Sequence, residues 1–267
     1  MIIVRIIGGL GNQMFQYAYA KALQKKGYDV QIDISKFKNY TLHGGYQLDK
    51  FKIDLETSSN TSNFLTKLGT SRILKEKSLL FDEEHLNPDK TKYIKGYFQT
   101  EKYFSNIKNV LFEQFALKEH LSETTLAYKK QIENFKNSCS IHIRRGDYIT
   151  NDKANKVHGI CELDYYYKAI DFIKSQYKEL QFFVFSDDVN WAKENLSLEN
   201  VTFINHNVIP HEDMFLMSLC RFNITANSSF SWWGAWLNKC KNKVVIAPKK
   251  WFVTKENEVA CANWIKL

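Results

Sequence analysis

The sequence predicts an α/β protein built around parallel β-sheets. Short runs rich in Val, Ile and Phe alternate with longer runs of helical periodicity, which is typical of parallel sheets covered by helices on both faces. The alternation occurs in two separate parts of the 267-residue chain. All six tryptophans lie in the second part, so the two parts are not duplicates. We therefore predict two Rossmann-like domains, residues 1–135 and 136–267, with a boundary near residue 135.

The first domain is predicted to begin with a strand–helix–strand unit. The apolar run IIVRII precedes the helical run NQMFQYAYAKALQKK, which ends at Gly27, a common C-cap residue. The run YDVQID follows as the second strand. The chain then becomes aromatic-rich and irregular, and there the sequence predicts only a helix near 61–76, a strand near 92–98 and a helix near 121–135.

The second domain alternates more regularly between strands and helices. Strands are predicted at residues 139–144, 181–186, 201–205, 222–226 and 243–247. Helices are predicted at residues 163–177, 188–195, 211–220 and 228–239. This regular alternation favours a parallel sheet with its ligand crevice at the carboxyl ends of the strands.

Composition indicates a folded globular protein and argues against several classes of protein. Hydrophobic residues make up 44% of the chain and charged residues 25%, so disorder is not expected. The net charge of +8 is spread along the chain without a polybasic tail. This distribution argues against a nucleic-acid partner and is compatible with an anionic substrate or a membrane surface.

Cysteine usage and the N-terminal sequence point to the cytoplasm. The five cysteines include no CxxC pair, and we interpret them as free thiols in a reducing compartment. The N-terminus has no basic segment ahead of its apolar run, so we interpret it as a strand rather than a signal peptide. No apolar stretch approaches the roughly 18–20 residues needed to span a bilayer. Peripheral contact with the inner face of the membrane stays open.

A glycine-rich turn joins the first strand to the first helix. In IIGGLGNQMFQ, Gly9 and Gly11 let the backbone approach a ligand, and the helix start offers free N–H groups to an anion. A tight turn without a ligand is one alternative. A dinucleotide-binding oxidoreductase is another, because Asp33 ends the second strand where such folds hold a ribose. Met14, however, replaces the third glycine of the GxGxxG pattern.

The most informative stretch is SIHIRRGDY, residues 140–148, which contains two of the five arginines in the chain. Alternation along a strand places His142 and Arg144 on one face, and both approach the crevice at the strand end. A guanidinium is a permanent planar cation suited to phosphate, and a histidine can donate to a phosphate or a ribose hydroxyl. We predict a ligand site here. The structural alternative is a buried arginine–carboxylate pair, for which Asp147 is a candidate partner.

Serine and acidic residues follow two further strands. Ser228 and Ser229 begin a helix and are interpreted either as N-caps or, with free backbone N–H groups, as an anion site. Asp187 and Asp188 are not spaced as Asp-x-Asp, so a metal bridging enzyme and diphosphate is not predicted, and one of them is expected to cap the next helix. The sequence contains no HExxH, Cys/His cluster or P-loop motif. The adjacent tryptophans are expected in the core.

Three motifs, GGLGNQMFQYA, HIRRGDY and NSSFSWWGAWL, occur in this order. Over almost the whole chain they resemble the bacterial α-1,2-fucosyltransferases of glycosyltransferase family 11. The resemblance implies a GT-B-type fold with a cleft between two Rossmann-like domains, the first on the acceptor side and the second binding GDP-fucose. It implies transfer of L-fucose, with inversion, from GDP-fucose to the 2-hydroxyl of a terminal galactose, without a metal or another cofactor. A lipid-linked surface glycan is the expected acceptor.

The resemblance also implies roles for individual residues. Arg144 would contact the β-phosphate and His142 the diphosphate or the ribose, while Asp213 would accept two hydrogens from guanine. The other substrate-binding residues that it implies are Ser228 and Ser229 at the phosphates, and Gly9, Gly11 and Asn12 at the border of the cleft. Without a metal, Arg144 and the helix starts must stabilise the charge that develops on the leaving GDP.

The catalytic base and the function class keep alternatives open. Asp152 occupies the position of a glutamate in the related α-1,6-fucosyltransferases, whereas His158 fits the pattern of family 11 better. Glu162 and Asp164 also follow the arginine motif, and a purely structural role for His158 is an alternative. Two other function classes are an NAD-type oxidoreductase and a non-catalytic glycan-binding protein, the latter prompted by an aromatic content of 15%.

Overall fold

The computed structural model describes residues 1–40, 44–58, 72–89, 91–146, 159–205 and 209–267. The chain divides into two compact units. The first unit comprises Met1–Glu119 and Glu256–Cys261, and the second comprises His120–Lys255 and Ala262–Leu267. The chain thus returns briefly to the first unit near its end.

The first unit contains a parallel sheet whose described strands have the order β2-β1-β4-β3. Its strands are β1 (Ile2–Arg5), β2 (Val30–Asp33), β3 (Arg72–Lys75) and β4 (Thr91–Lys95). Its described α-helices are α1 (Leu10–Lys25) and α2 (Lys108–Gln114). Short 3-10 helices at Ser35–Asn39, Leu48–Lys50, Glu83–Leu86, Glu101–Tyr103 and Ser105–Ile107 make up much of the irregular region.

Aromatic packing around α1 forms the core of the first unit. Tyr19 is fully buried and stacks on Phe98, with ring centroids 3.8 Å apart, while the edge of Tyr103 meets both rings. The segment Glu256–Cys261 is tied to this unit through Glu258, which accepts a hydrogen bond from the Phe81 N–H and pairs with Lys102. Aromatic side chains therefore supply the buried area that the short strands alone cannot provide.

The second unit contains a larger parallel sheet, in which the described strands have the order β10-β9-β8-β5-β6-β7. Its strands are β5 (Ser138–Ile143), β6 (Gln181–Ser186), β7 (Val201–Phe203), β8 (Phe222–Ile224), β9 (Val244–Ala247) and β10 (Ile265–Lys266). Its described helices are α3 (Glu123–Glu133), α4 (Leu163–Gln176), α5 (Val189–Asn195), α6 (Pro210–Leu219) and α7 (Ser229–Trp236).

Helices cover both faces of the second sheet, as its sequence pattern predicts. On one face, Ile141 and Ile143 of β5 pack with Ile170 of α4 in a buried cluster. On the other face, Phe183 of β6 packs with Leu216 of α6. The period-2 alternation of β5 and β6 therefore sends successive side chains into two separate apolar layers.

The tryptophans of α7 are part of this core, as predicted. Trp232, Trp233 and Trp236 are at most 2% exposed and pack against one another, with Trp264 against Trp232. Gly234 lets α7 approach α6, because a Cβ at that position would lie 2.9 Å from the Cβ of Met217. These rings are therefore not available as a surface platform for a sugar.

Two features of the fold differ from the sequence prediction. The second unit begins at His120 rather than near residue 135, because α3 is fastened to α6 by the Glu212 carboxylate, which accepts hydrogen bonds from Ser122 and Thr125. The helix predicted near 61–76 is wrong over Arg72–Lys75, which form β3, and its residues 61–71 lie outside the described part of the chain.

None of the described helices combines the length and the apolar composition that crossing a bilayer requires.

Candidate active site

The strand order of the second sheet creates a topological switch point between β5 and β8. From β5 the chain proceeds to β6 and β7 on one side, and then to β8, β9 and β10 on the other. In open α/β sheets, ligands bind beyond the carboxyl ends of the strands at such a point. Arg144 directly follows β5, and Asn227 and Ser228 lie just beyond the end of β8. The arginine and serine motifs are thus brought to the same edge of the sheet, although they are distant in sequence.

Arg144 is held by a carboxylate at the end of the neighbouring strand. Its Nη1 atom lies 2.9 Å from Oδ2 of Asp187, and the two side chains are 27% and 23% exposed. The other oxygen of Asp187 accepts a hydrogen bond of 2.9 Å from the backbone N–H of Arg145. Half-buried and charge-assisted, this pair is stronger than an ion pair on the open surface.

Arg145 has a different environment from Arg144. Its guanidinium lies over the ring of Trp191, 3.5 Å from the ring centroid, which is a close cation–π contact. Trp191 belongs to α5, whose N-terminus is capped by Asp188 through a hydrogen bond from the Trp191 N–H. The expectation that one of the two aspartates caps this helix is confirmed for Asp188. The other aspartate, Asp187, serves the arginines, which sequence reasoning missed.

His142 lies inside the protein, directly before the strand end. It is 5% exposed, and its ring faces Phe230 of α7 with centroids 5.5 Å apart. Burial, assisted by the positive charge of Arg144, lowers the pKa of His142 to about 3, so the imidazole is neutral at physiological pH. Its Nδ1 atom is buried and has no hydrogen-bond partner among the described residues. A neutral ring can offer one donor and one acceptor to a ligand.

The start of α7 has a side-chain cap and, as at any helix start, N–H groups that find no carbonyl partner within the helix. The Ser228 hydroxyl accepts a hydrogen bond from the Phe230 N–H, so Ser228 is the N-cap, and Ser229 is the first helical residue. The first turn carries no acidic side chain that would compete with an anion. Asn227 fixes the approach to the helix, since its amide donates to the Gly159 carbonyl and its oxygen accepts from Cys161. Both interpretations of the serines, as cap and as anion site, are compatible with this geometry.

Two adjacent carboxyl groups of α6 have opposite environments. Burial alone would raise the pKa of Glu212, but hydrogen bonds from Ser122 and Thr125 outweigh it and lower that pKa. Burial, followed by the charge of Glu212, raises the pKa of Asp213 to about 7. Glu212 therefore has a structural role as a carboxylate, while Asp213 titrates near neutral pH, as is common for groups in functional sites.

The glycine turn of the first unit is shaped by buried glutamines. Gly8 has φ +89°, a conformation that favours glycine, and Gly9 precedes α1 without a side-chain cap among the described residues. Gln13 donates to the carbonyls of Gly8 and Gly45, and Gln16 accepts from the Ile7 N–H and donates to the Gly96 carbonyl. These two residues were missed from the sequence, although polar side chains inside an apolar helix were a visible signal.

The predicted residues of the first unit differ in what surrounds them. Gly9 and Gly11 lie at the start of α1, and the Asn12 side chain accepts a hydrogen bond of 2.7 Å from Gln99. Asp33 is fully buried, and its carboxylate accepts hydrogen bonds from the Tyr93 hydroxyl and the Ser35 N–H. Because Asp33 is occupied within the protein, it does not support the dinucleotide-binding alternative.

Of the candidate bases, Glu162 and Asp164 belong to the described residues. Asp152 and His158, like Asp147, lie outside the described residues. Glu162 directly precedes α4, and Asp164 forms an exposed ion pair of 2.6 Å with Lys168. The described residues contain no cluster of three or more potential metal-binding side chains.

Two parallel-sheet units, the second with its motifs at a switch point, define a fold of the GT-B type. Solved structures with this fold are similar to the chain. The fucosyltransferase NodZ from Bradyrhizobium matches with a TM-score of 0.51 and 12% identity, over 88% of this chain and 92% of the other. NodZ α-1,6-fucosyltransferase co-crystallized with GDP matches with a TM-score of 0.50 and 13% identity, over 88% and 91% of the two chains.

The family model of glycosyl transferase family 11 matches residues 1–267, and the chain therefore belongs to this family. Two similar relatives come from Escherichia coli. The α-1,2-colitosyltransferase is 38% identical, over 96% of this chain and 94% of the relative. The O-antigen biosynthesis glycosyltransferase WbnK is 36% identical, over 97% and 98%. Galactoside α-(1,2)-fucosyltransferase 2 of Rattus norvegicus is 24% identical, over 89% of this chain and 67% of the relative.

Proposed function

We propose that this glycosyltransferase is an inverting, metal-independent α-1,2-fucosyltransferase that moves L-fucose from GDP-fucose to the 2-hydroxyl of a terminal galactose. The observation that carries the proposal is the convergence of Arg144 and the start of α7 at the switch point of the second sheet. A permanent cation and the N–H groups of a helix start, both at the carboxyl ends of neighbouring strands, suit a nucleoside diphosphate as leaving group.

The reaction exchanges one bond at the anomeric carbon of fucose. The galactose O2 atom forms a bond to the anomeric carbon of fucose, while the bond between that carbon and the β-phosphate oxygen of GDP breaks. Attack from the face opposite the leaving group inverts the configuration at this carbon. The bond electrons leave with GDP, and the acceptor hydroxyl proton passes to a base, for which Asp152 and His158 are the candidates. Arg144, with the hydroxyls of Ser228 and Ser229 and the α7 amides, stabilises the charge that develops on the β-phosphate, so no divalent ion is required.

The nucleotide is held by the second unit in this proposal. The Asp213 carboxylate accepts hydrogen bonds from N1 and N2 of guanine, and His142 donates to the diphosphate or the ribose. The co-crystallization of NodZ with GDP supports GDP as the nucleotide, on the strength of the shared fold. In the first unit, Gly9, Gly11 and Asn12 serve the acceptor side.

The names of the relatives support the linkage and the acceptor class. An α-1,2 linkage occurs in the names of both a bacterial and a mammalian relative, and O-antigen biosynthesis is named for WbnK. We therefore propose a galactose-terminated surface glycan, lipid-linked at the inner face of the membrane, as the acceptor. Colitose is the second donor sugar to test, because the relative named for it is 38% identical to this chain.

The deciding experiment measures transfer from GDP-fucose and from nucleotide-activated colitose to β-galactosides, with a 2-deoxygalactoside as the matched acceptor. We expect fucose transfer to the galactoside, none to the 2-deoxy compound, and full activity in EDTA. Transfer of colitose alone would change the donor, and activity that needs added Mg²⁺ would refute metal independence. Binding of galactosides without any transfer would indicate a glycan-binding protein instead.

The variant Arg144→Ala tests the central residue of the proposal. We expect kcat to fall by about 10²–10³-fold, equivalent to roughly 2–4 kcal/mol in the transition state, as when a single oxyanion donor is removed. The matched control is Arg221→Ala, because Arg221 precedes β8 at the opposite end of the strands and donates to Asn137. Activity per folded molecule should be retained in the control. A loss of fold with Arg144→Ala would favour a structural role.

A further inference from the structure

The end of β6 positions a carboxylate against the arginine motif. Ser186 of β6 is in register with Ile143 of β5, so the next residues, Asp187 and Arg144, are neighbours across the sheet edge. Asp187 uses both oxygens here: Oδ2 contacts Nη1 of Arg144, and Oδ1 accepts from the Arg145 N–H, each at 2.9 Å. One carboxylate thus fixes both the side chain of Arg144 and the backbone of the next residue.

Close packing restricts how this carboxylate can move. A Cβ at position 146 would lie only 2.5 Å from Oδ2 of Asp187, so the glycine of the motif makes room for the ion pair. The next residue, Arg145, is stacked on Trp191 of α5, with its guanidinium carbon 3.5 Å from the ring centroid. The backbone that follows β5 is therefore held by two contacts, the Asp187 carboxylate and the Arg145–Trp191 stack.

A carboxylate beside a diphosphate site opposes the binding of the diphosphate, so its presence there needs a reason. It repels the phosphate oxygens and partly neutralises the guanidinium that should attract them. Yet a guanidinium has several N–H donors in one plane, so a contact with one edge can fix the direction of the others. The weaker attraction between Arg144 and phosphate is acceptable if the rate depends on the orientation of the guanidinium and not only on its charge.

We propose that Asp187 is the positioning residue of the transferase reaction, acting through Arg144 to aim the guanidinium at the departing phosphate. The proposal rests on the proposed function and deepens it. It predicts an unusual pattern of effects. Removing the negative charge should not weaken GDP binding, because the repulsion of phosphate disappears with it. The same change should lower kcat, because a misplacement of about 1 Å can cost on the order of 10²-fold in rate.

The test compares Asp187→Asn with Asp188→Asn in the full chain. We expect Asp187→Asn to lower kcat for fucose transfer by on the order of 10²-fold while the dissociation constant of GDP stays equal or decreases. Asp188→Asn should be neutral, because asparagine caps a helix as well as aspartate. Asp187→Glu should also lower kcat, because its extra methylene group moves the carboxylate away from the position that contacts both Nη1 of Arg144 and the Arg145 N–H. A purely structural role would instead lower the melting temperature and weaken GDP binding together.

Two further measurements keep the result interpretable. If Asp187→Asn does not fold, Gly146→Ala displaces the same carboxylate by its added Cβ and should give the same loss of kcat with retained GDP binding. In an Arg144→Lys background, Asp187→Asn should reduce kcat much less than in the wild type, since the residue acts through the guanidinium. Full additivity of the two losses, or a wild-type kcat in Asp187→Asn, would overturn the positioning role.

The wild-type protein separates this inference from the proposed function. If the wild type transfers no sugar from GDP-fucose to a galactoside, the proposed function fails and the positioning role fails with it. If the wild type is active and the Asp187 variants behave like it, only the positioning role is overturned.

Discussion

Asp213→Asn is expected to make the protein more stable and to lower its affinity for GDP. Burial, and after it the charge of Glu212, raises the pKa of Asp213 from an ordinary value of 3.8 to about 7. The folded protein therefore binds a proton more tightly at this position than the unfolded chain does. Asparagine has nearly the same shape as aspartate but carries no charge. The substitution therefore removes the titrating group at position 213 without leaving a cavity.

The sign of the stability effect follows from the raised pKa. Between about pH 4 and pH 7 the folded state holds more protons at Asp213, so its contribution to the free energy of unfolding falls as the pH rises. The limiting slope for one proton is about 1.4 kcal/mol per pH unit, which gives an upper limit of about 4 kcal/mol over this range. Because the side chain is not completely buried, we expect a difference of roughly 1–2 kcal/mol.

Urea unfolding at pH 5, 6, 7 and 8 measures this difference. The stability of Asp213→Asn relative to wild type should increase from pH 5 to pH 8, while other titrating groups cancel in the comparison. Asp164→Asn is the matched control for the substitution itself, because Asp164 also lies in the first turn of a helix but is exposed. A constant difference between Asp213→Asn and wild type across this range would refute the burial argument.

GDP binding should respond to the same group in the opposite direction. Guanine donates hydrogen bonds to a carboxylate, so GDP favours the ionised form and its affinity for wild type should decrease below pH 7, by up to about tenfold per pH unit. The terminal phosphate of GDP titrates near pH 6 itself, so wild type and variant are compared by calorimetry at each pH. A variant that binds GDP as tightly as wild type at pH 8 would refute the guanine contact.

Two further predictions concern the switch point and the glycine turn. Ser228→Asp keeps an N-cap for α7 but places a negative charge at the proposed phosphate site, so thermal unfolding should change little while GDP binding is lost; Ser228→Ala should instead lower stability by about 1 kcal/mol. Tight GDP binding by Ser228→Asp would contradict a phosphate site there. Gln16→Leu leaves the Ile7 N–H and the Gly96 carbonyl without this partner, and it should lower the free energy of unfolding by about 1–3 kcal/mol in urea titrations. A stability equal to that of wild type would contradict this role.

Sequence periodicity predicted the second unit well because its signals are local. The runs at β5, β6 and α4 are long, apolar and bounded by turn residues, and the structure has them within a few residues of the prediction. Short elements are harder to predict: the four-residue strand β3 lies in a run whose pattern predicts a helix, and β10 has two residues, too few for a periodic pattern. In both cases pairing with a neighbouring strand, rather than propensity, makes the strand.

The candidate site could be predicted in its residue types but not in its connections. Arg144 and Ser228 were visible because each follows a strand, and parallel strands end at one edge. The partnership of Arg144 with Asp187 depends on the register between β5 and β6, which only the folded chain defines. The contacts of Gln13 are equally hidden: the sequence shows a polar residue inside an apolar helix, but not that it bonds to Gly45 and to the Gln47 N–H. Periodicity can mark such a residue as unusual, but it does not name a partner on a distant segment.

The use of arginine at this strand end follows from the same geometry. The chain has 37 basic residues, most of them lysines, yet two of its few arginines stand side by side after β5. Position 145 requires a flat cation, because this side chain stacks on Trp191. Position 144 requires a forked cation, because one edge of the guanidinium contacts Asp187. A lysine ammonium is a point charge on a flexible stem, so it would supply the charge without the direction. Charge alone therefore does not explain the motif, whereas a guanidinium oriented by Asp187 explains Arg144 and the glycine, and the stack on Trp191 explains Arg145.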